Sequence, residues 1–465
     1  MTDGTESTDG TDDPALAAVT EWVERALGGT VIATERLARW RLGWFLTLDR
    51  DGEITELYAR GARGPDFPSP YDLGHEARVH ALLEDHGFPV PHVYGIVDHD
   101  GTQIMVMDRS RGSQGLEAEP DHGTRQRIML DWVELATRMH LIGLDDLARR
   151  GFDLPATPDE VVWSGAIARL EQHHLTAGGP PDPVIDFLRS WLWRNRPRHR
   201  HRPAFVTWDS AQFLHERGSI TALIDFELAH VGDPYMDLAP LRTRDTLEPF
   251  GDLTAAFTHY AALTGEPIEW DVLRWFEVAQ LTATLMLQRP VMLWPDADSD
   301  LVTHIVWYVE SARYALDILA ELLGASLETV EPVAAAASPH AVSHHHLVTS
   351  LHRDARDEAA SSDPFRRWQS RRHYRLARHL QRVDEVGTAV TAAELDDASS
   401  VVGRKLASTG DADRTLAELV ALEDPHRDEQ MLHYLNRRMQ RQSMTLGPPD
   451  ALLTQHVPLQ TLPDR

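Results

Sequence analysis

Residues 205–239 read FVTWDSAQFLHERGSITALIDFELAHVGDPYMDLA, and this stretch carries the clearest chemistry in the chain. Two apolar runs, residues 204–207 and 220–224, have the length and composition of short strands. Asp209 and Gln212 lie in the loop after the first run, and Asp225 follows the second. The pattern predicts two carboxylates at the mouths of neighbouring strands, with an amide side chain between them.

These side chains match what phosphoryl transfer from a nucleoside triphosphate requires. Mg²⁺ bound to a nucleotide takes oxygen ligands from one or two protein groups and from the phosphates. A separate carboxylate accepts the proton of the attacking hydroxyl group. The stretch therefore offers both a metal site and a base.

Composition limits the classes to which this protein can belong. The 465 residues are 42% hydrophobic and 25% charged, as in soluble globular proteins, and they contain no cysteine. Disulfides, thiolate zinc sites and a cysteine nucleophile are therefore excluded. The formal charge of −27 argues against nucleic-acid binding, which needs a positive surface. Because no membrane-length apolar run and no secretory pattern are found, we expect a cytoplasmic protein without membrane contact.

Residues 14–108 have the pattern of a small β-rich lobe that follows an acidic, disordered tail over residues 1–13. Helices are predicted over 14–27 and 71–86, and strands over 31–34, 44–48, 57–60, 93–97 and 103–107, with a hairpin turn at Asp51-Gly52. Because Lys405 is the single lysine, cationic roles must fall to arginine. Arg39 and Arg41, between the first two strands, are candidate phosphate ligands, and the alternative is a solvated hairpin.

Helical periodicity predominates after residue 109. Residues 109–329 are predicted to form a second lobe with helices over 124–142, 158–174, 183–195, 252–263, 271–287 and 301–323. The basic run 194–202 either attracts an anionic substrate or forms a solvated loop. A linker, 330–346, leads to a helical appendage and tail, 347–465, with helices over 364–384, 392–406, 413–422 and 429–439.

The stretch 205–239 resembles the catalytic core of the aminoglycoside phosphotransferase family, small-molecule kinases with a protein-kinase-like fold. Asp209 matches the catalytic Asp of the family, Asp225 its metal-binding Asp, and Gly232-Asp233-Pro234 with Asp237 its closing segment. The resemblance implies an α+β, bilobal protein-kinase-like fold with a small β-rich N-lobe and a helical C-lobe. The C-terminal helical region is an addition to that fold.

The chain departs from the family pattern at two points. Thr207-Trp208 stands where the family has His-Gly, and Gln212 replaces Asn in a loop that is two residues shorter. Gln212 keeps the amide oxygen that a metal ion needs, so it remains the predicted second ligand of Mg²⁺ beside Asp225.

The resemblance also implies a nucleotide site in the N-lobe. Arg60 occupies the position of the ATP-binding lysine, with Arg63 as the alternative, and Glu76 matches the helix glutamate that pairs with this cation. Met107 would lie behind the adenine, and the backbone from Asp108 to Ser110 would form the hinge.

The expected activity is the Mg²⁺-dependent transfer of the terminal phosphate of ATP or GTP to a hydroxyl group of a small molecule, with an anionic molecule as one candidate acceptor. The alternative is a kinase-fold protein that has lost catalysis and serves as a binding or scaffold protein. Between the first two strands, where a kinase has a glycine-rich lid over the phosphates, residues 37–43 contain one glycine and two arginines. This missing lid and the two departures support the alternative. Against it, each acidic or amide position that the chemistry needs is filled.

Overall fold

The N-terminal lobe is built on a five-stranded antiparallel sheet. The computed structural model describes residues 13–37, 41–63, 69–117, 119–359, 364–447 and 454–463. The elements of this lobe are α1 (Pro14–Leu27), β1 (Thr30–Arg36), β2 (Gly43–Arg50), β3 (Glu53–Gly61), α2 (Leu73–Asp85), β4 (Val93–His99) and β5 (Thr102–Asp108). The strand order is β1-β2-β3-β5-β4, and every strand predicted for this lobe is present and longer than expected.

The two faces of this sheet are used differently because side chains alternate along a strand. On one face, Trp44, Leu46 and Leu48 are buried in an apolar cluster with α1. The other face carries Arg60, which reaches Glu76 on α2. The alternation along β3 therefore directs its cation into the protein and not toward solvent.

The C-terminal lobe is mostly helical and shares one large apolar core. Its elements are β6 (Ser113–Gln114), α3 (His122–His140), α4 (Leu144–Arg149), α5 (Pro158–Val162), α6 (Gly165–Ala177), α7 (Pro183–Arg194), β7 (Ala204–Val206), β8 (Phe213–Glu216), β9 (Ser219–Leu223), β10 (His230–Gly232), α8 (Tyr235–Leu238), α9 (Pro240–Arg244), α10 (Leu253–Thr264), α11 (Trp270–Leu293) and α12 (Leu301–Leu323). Within the ranges described, no helix is long and apolar enough to cross a membrane.

The strands that precede Asp209 and Asp225 lie in different sheets. β7 pairs with β10, whereas β9 pairs with β8, which pairs with β6. The prediction of neighbouring strands was wrong because residues 213–216 form a strand of their own. A turn at Arg217-Gly218, with φ angles of 53° and 79°, folds β8 back onto β9.

The helix predicted over residues 158–174 is two helices, α5 and α6, that meet near Gly165. The φ angle of Gly165 is +54°, a value that residues other than glycine rarely adopt. A Cβ atom at this position would also overlap the ring of His230. The close approach of β10 thus requires a glycine where helical periodicity alone suggests continuity.

The C-terminal region consists of α13 (Ala341–Glu358), α14 (Pro364–Val402), α15 (Thr409–Val420) and α16 (Asp428–Ser443). α13 starts six residues before the predicted helical region, and the 39 residues of α14 replace two predicted helices. The first turn of α14 reaches the N-lobe, where Arg36 lies 4.7 Å from the ring of Trp44 and 5.4 Å from that of Phe365. Residues 454–463 dock on the C-lobe and bury Leu462.

Candidate active site

Arg60 joins the two lobes at the centre of the site. Its side chain is 5% exposed, and its Nη2 atom donates to Oε2 of Glu76. Its Nη1 atom donates to Oδ1 of Asp225 at 2.9 Å. Burial raises the pKa of the Glu76 carboxyl, and the Arg60 guanidinium opposes that rise. The predicted pair of strand cation and helix glutamate is thus brought together, with Asp225 as a third member.

Asp225 is held as an anion by arginines. Burial acts to raise its pKa, but Arg60, Arg41 and Arg63 outweigh burial and hold the pKa well below the usual range. Arg41 approaches Oδ1 of Asp225 at 3.6 Å. The φ angle of Asp225 is +63°, a conformation that few non-glycine residues adopt outside functional sites and turns.

Glu227 is a member of the site that the sequence reasoning missed. Its Oε2 atom accepts from Nη1 of Arg41 at 3.2 Å and from Nε of Arg63 at 2.9 Å. Arg41, a candidate phosphate ligand, and Arg63, the alternative to Arg60 as the strand cation, therefore both contact this carboxylate. The sequence signal that could have identified Glu227 is its position two residues after Asp225.

The backbone before Asp209 is fixed by Asp237. Oδ1 of this buried carboxylate accepts from the N–H groups of Thr207 and Trp208 at 2.9 and 2.7 Å. His140 contacts the other oxygen of Asp237 at 3.0 Å. Trp208 has a φ angle of +60°, so the tryptophan occupies a conformation that favours glycine, the residue of the family pattern.

Asp209 has two side-chain partners. Its Oδ2 atom accepts from Nε2 of Gln212 at 2.8 Å, and Nη2 of Arg244, in the last turn of α9, approaches Oδ1 at 3.3 Å. Burial raises the pKa of Asp209, and the Arg244 charge works against that rise. Arg244 was not anticipated from the sequence.

Gln212 is oriented away from the role predicted for it. Its amide oxygen accepts from Nε2 of Gln114 at 2.7 Å, while its amide nitrogen donates to Asp209. Its side chain thus bridges β6 and Asp209, and among the described residues it makes no hydrogen bond to Asp225.

The predicted hinge follows β5 directly. Met107 is 4% exposed and lies in an apolar cluster with Leu73 on α2. The N–H of Asp108 donates to the carbonyl of His92 at 2.9 Å. In the described ranges, the N–H of Ser110 donates to no backbone carbonyl.

Two further expectations concern basic residues. Arg39 lies outside the described residues. The basic run 194–202 is largely neutralised, because Arg194 pairs with Asp428 at 2.6 Å, Arg196 with Asp159 at 2.8 Å, and Arg200 with Asp233 at 2.8 Å. These ion pairs therefore hold helices and loops of the protein together. The run gives no support to the prediction that it attracts an anionic substrate.

The described residues of the site offer few side-chain ligands for a divalent cation. Within the residues described, no three His, Cys, Asp or Glu side chains are grouped to hold a metal ion. Mg²⁺ in nucleotide sites needs only one or two protein oxygens, since phosphates and water supply the others. Asp225, ionised by its arginine neighbours, fits such a site.

The position of Arg244 predicts a change in pH dependence. In the Arg244→Gln variant, the pKa of Asp209 should rise further because the nearest opposing positive charge is lost. If Asp209 is the base, as the family resemblance implies, it works only when deprotonated, and the acidic limb of kcat/KM should move up by about one to two pH units. The measurement is a pH profile of ATP-dependent phosphorylation, with Arg25→Gln on the exposed surface of α1 as control; superimposable profiles would contradict the assignment.

A buried cation on a strand, a helix glutamate and two separate carboxylates define a kinase-like site between two lobes. A model of the phosphotransferase enzyme family matches residues 43–276, and the chain belongs to that family.

Individual relatives are distant. Acyl-CoA dehydrogenase family member 11 of Homo sapiens is 23% identical over 226 residues, which cover 44% of this chain and 28% of that protein. The chain thus spans less than a third of the length of this curated relative. A Ralstonia eutropha structure assigned as an aminoglycoside phosphotransferase aligns with a TM-score of 0.49 at 16% identity, covering 67% of this chain and 99% of that one. A macrolide 2'-phosphotransferase of Brachybacterium faecium gives 0.43 at 18% identity, with coverages of 64% and 97%.

Proposed function

We propose that the protein transfers the terminal phosphate of ATP, with Mg²⁺, to a hydroxyl group of a small molecule. The observation that carries this proposal is the single guanidinium of Arg60 bonded to both Glu76 and Asp225. In a kinase site, the equivalent cation holds phosphates while a nearby carboxylate holds the metal ion. GTP is the alternative donor.

Asp209 is the proposed base. Its raised pKa, which follows from burial, suits a group that accepts a proton near neutral pH. Arg244 lies on the same carboxylate and would keep enough of it ionised to act.

Asp225 would hold Mg²⁺, with Gln212 as a second ligand only after it leaves Gln114. Mg²⁺, when bound with the nucleotide, neutralises the charge that develops on the phosphates. Arg41 and Arg63 contact Glu227 in this structure. When a nucleotide binds, they would turn to its phosphates, because one guanidinium group can donate two parallel hydrogen bonds to phosphate oxygens. The N–H of Ser110 would donate to the nucleotide base.

Calorimetric titration of ATP with and without Mg²⁺ tests this proposal. The Asp225→Asn variant should lose at least about tenfold in Mg²⁺-dependent affinity, since a charged ligand of the metal becomes neutral. Asp100→Asn, at a side chain that is 94% exposed, is the matched control and should bind like the unmodified protein. Equal binding with and without Mg²⁺ would rule out the metal role of Asp225.

A kinase-fold binding protein without turnover is the second candidate. The orientation of Gln212 toward Gln114 and Asp209 favours it, because the predicted second metal ligand is engaged elsewhere. Nucleotide binding that depends on Mg²⁺, combined with no phosphorylation of any hydroxylated metabolite in a broad screen, would select this candidate.

A further inference from the structure

A cavity of about 700 Å³ lies between the lobes, apart from the residues described above. It is lined by the start of α2, by residues 151–155, and by α5, α6 and β10. Neither Arg60 nor Asp209 nor Asp225 contributes to its wall. Its size is that of a small-molecule site.

The walls of this cavity include flat rings. Tyr71 and His75 stack with their ring centres 3.9 Å apart and their planes at 11°. Phe152 and Trp163 contribute aromatic surface from the C-lobe, and the ring of Phe152 meets that of His75 edge-on at 5.5 Å. A cavity with such walls favours a planar, apolar occupant.

The positive charge in the wall comes from two arginines, Arg78 and Arg169. Arg78 is exposed, and its one hydrogen bond is a long contact of 3.5 Å to Nδ1 of His75. Across the described chain, Arg78 makes no ion pair. Arg169 lies 4.7 Å from the ring centre of Tyr71. Among the described residues, the guanidinium of Arg78 therefore has no carboxylate partner, whereas that of Arg169 pairs with Asp153.

The acidic side chains in the wall already have partners. Asp72 caps α2 by accepting from the N–H of His75 at 2.8 Å. Glu160 accepts from the N–H of Ala156 at 2.6 Å, and Asp153 pairs with Arg169 at 3.1 Å. None of these contacts involves Arg78, so its guanidinium can pair with an anion that enters at its end of the cavity.

We propose that this cavity binds a small aromatic anion, a carboxylate or phosphate attached to a planar ring, with its charge on Arg78. His75 also ties α2 to the C-lobe, because its Nε2 atom lies 2.7 Å from the carbonyl oxygen of Ala229. An occupant that bridges both lobes here stabilises α2 in the position where Glu76 reaches Arg60. Because Arg60 and Glu76 belong to the proposed nucleotide site, such an occupant should also strengthen nucleotide binding. Only this effect on nucleotide binding rests on the proposed function.

The probes are 4-fluorobenzoate and 4-fluorophenyl phosphate, titrated against the full chain and followed by ¹⁹F NMR without nucleotide. Neither carries a hydroxyl group that accepts phosphate, so the titration reads the cavity even if the protein is not a kinase. Saturable binding of either probe is expected, and the one that binds identifies the anionic group. Arg78→Gln should weaken binding at least about tenfold, because a charge-assisted hydrogen bond is lost. Arg353→Gln, at an exposed arginine of α13, should not change it.

Circular dichroism verifies that the Arg78→Gln variant is folded. No saturable binding to the unmodified protein, equal binding by Arg78→Gln, or displacement of the probe by ATP would each overturn the cavity assignment. Coupling is tested by titrating ATP with and without bound probe, and the probe with and without ATP. Both affinities should rise by the same factor, as linkage requires. Unchanged ATP affinity in a protein that binds both ligands would overturn the coupling while leaving the proposed function intact.

Discussion

The Asp209→Asn variant is expected to turn over about 10²- to 10⁴-fold more slowly than the unmodified protein, because an amide cannot accept the proton of the acceptor hydroxyl. The substitution preserves the size of the side chain and leaves an oxygen for Gln212 or Arg244. ATP affinity should stay nearly unchanged, since the arginines proposed to bind phosphate, Arg41 and Arg60, contact Glu227 and Asp225 and not Asp209.

ATP consumption is measured with the hydroxylated metabolite that a substrate screen selects, and ATP binding is measured by calorimetry in the same buffer. Asp100→Asn carries the same chemical change on the exposed hairpin between β4 and β5 and should behave normally. If Asp209→Asn retained full turnover, another group would have to be the base. If it lost ATP binding as well, its effect would lie in the structure of the site and not in proton transfer.

The Arg242→Met variant is expected to lose about 3–5 kcal/mol of stability, because it leaves the buried carboxylate of Glu277 without its ion-pair partner. Arg242 is 1% exposed and contacts Glu277 at 3.3 Å and Glu321 at 2.6 Å. Burial raises the pKa of Glu277 to about 7, and Arg242 opposes that rise. Without Arg242, the pKa of Glu277 should increase further, and the carboxylate should take up a proton on folding.

Urea unfolding followed by tryptophan fluorescence measures this loss. The double variant Arg242→Met/Glu277→Gln should recover part of the stability, since no ionisable group then remains unpaired at the centre of the cluster. Arg202→Met, at a pair whose side chains are 74% and 56% exposed, should cost less than about 1 kcal/mol. Equal losses at the buried and exposed positions would show that burial of Arg242 does not determine its contribution.

The fold and the Arg60–Glu76 pair were predicted from the resemblance to the phosphotransferase family, and the local sequence patterns agree with both. Alternating apolar residues place Arg60 on the inner face of β3, and helical spacing places Glu76 on the inner face of α2. Both conditions can be read without a structure. That Arg60 also reaches Asp225 depends on how the lobes close, for which the sequence offers only the order of motifs.

The residues that were missed are brought in by tertiary contacts. Arg244 approaches Asp209 because the short helices α8 and α9 turn the chain back, and their lengths of four and five residues give no periodic signal. The direction of Gln212 follows from Ala211, whose φ angle of +58° is unexpected for alanine. Helical periodicity likewise could not separate α5 from α6, since the reason for the break is a ring on a distant strand.

The docking of residues 454–463 has a consequence for biosynthesis. Arg242 donates through Nε to the carbonyl of Gln460 at 2.6 Å, across a separation of 218 residues. At a synthesis rate of about 5–20 residues per second, roughly 10 to 40 seconds pass between the translation of these partners. During that interval, Arg242 lacks one of its hydrogen-bond acceptors. The C-lobe of the nascent chain therefore gains this contact only when the docking segment has left the ribosome.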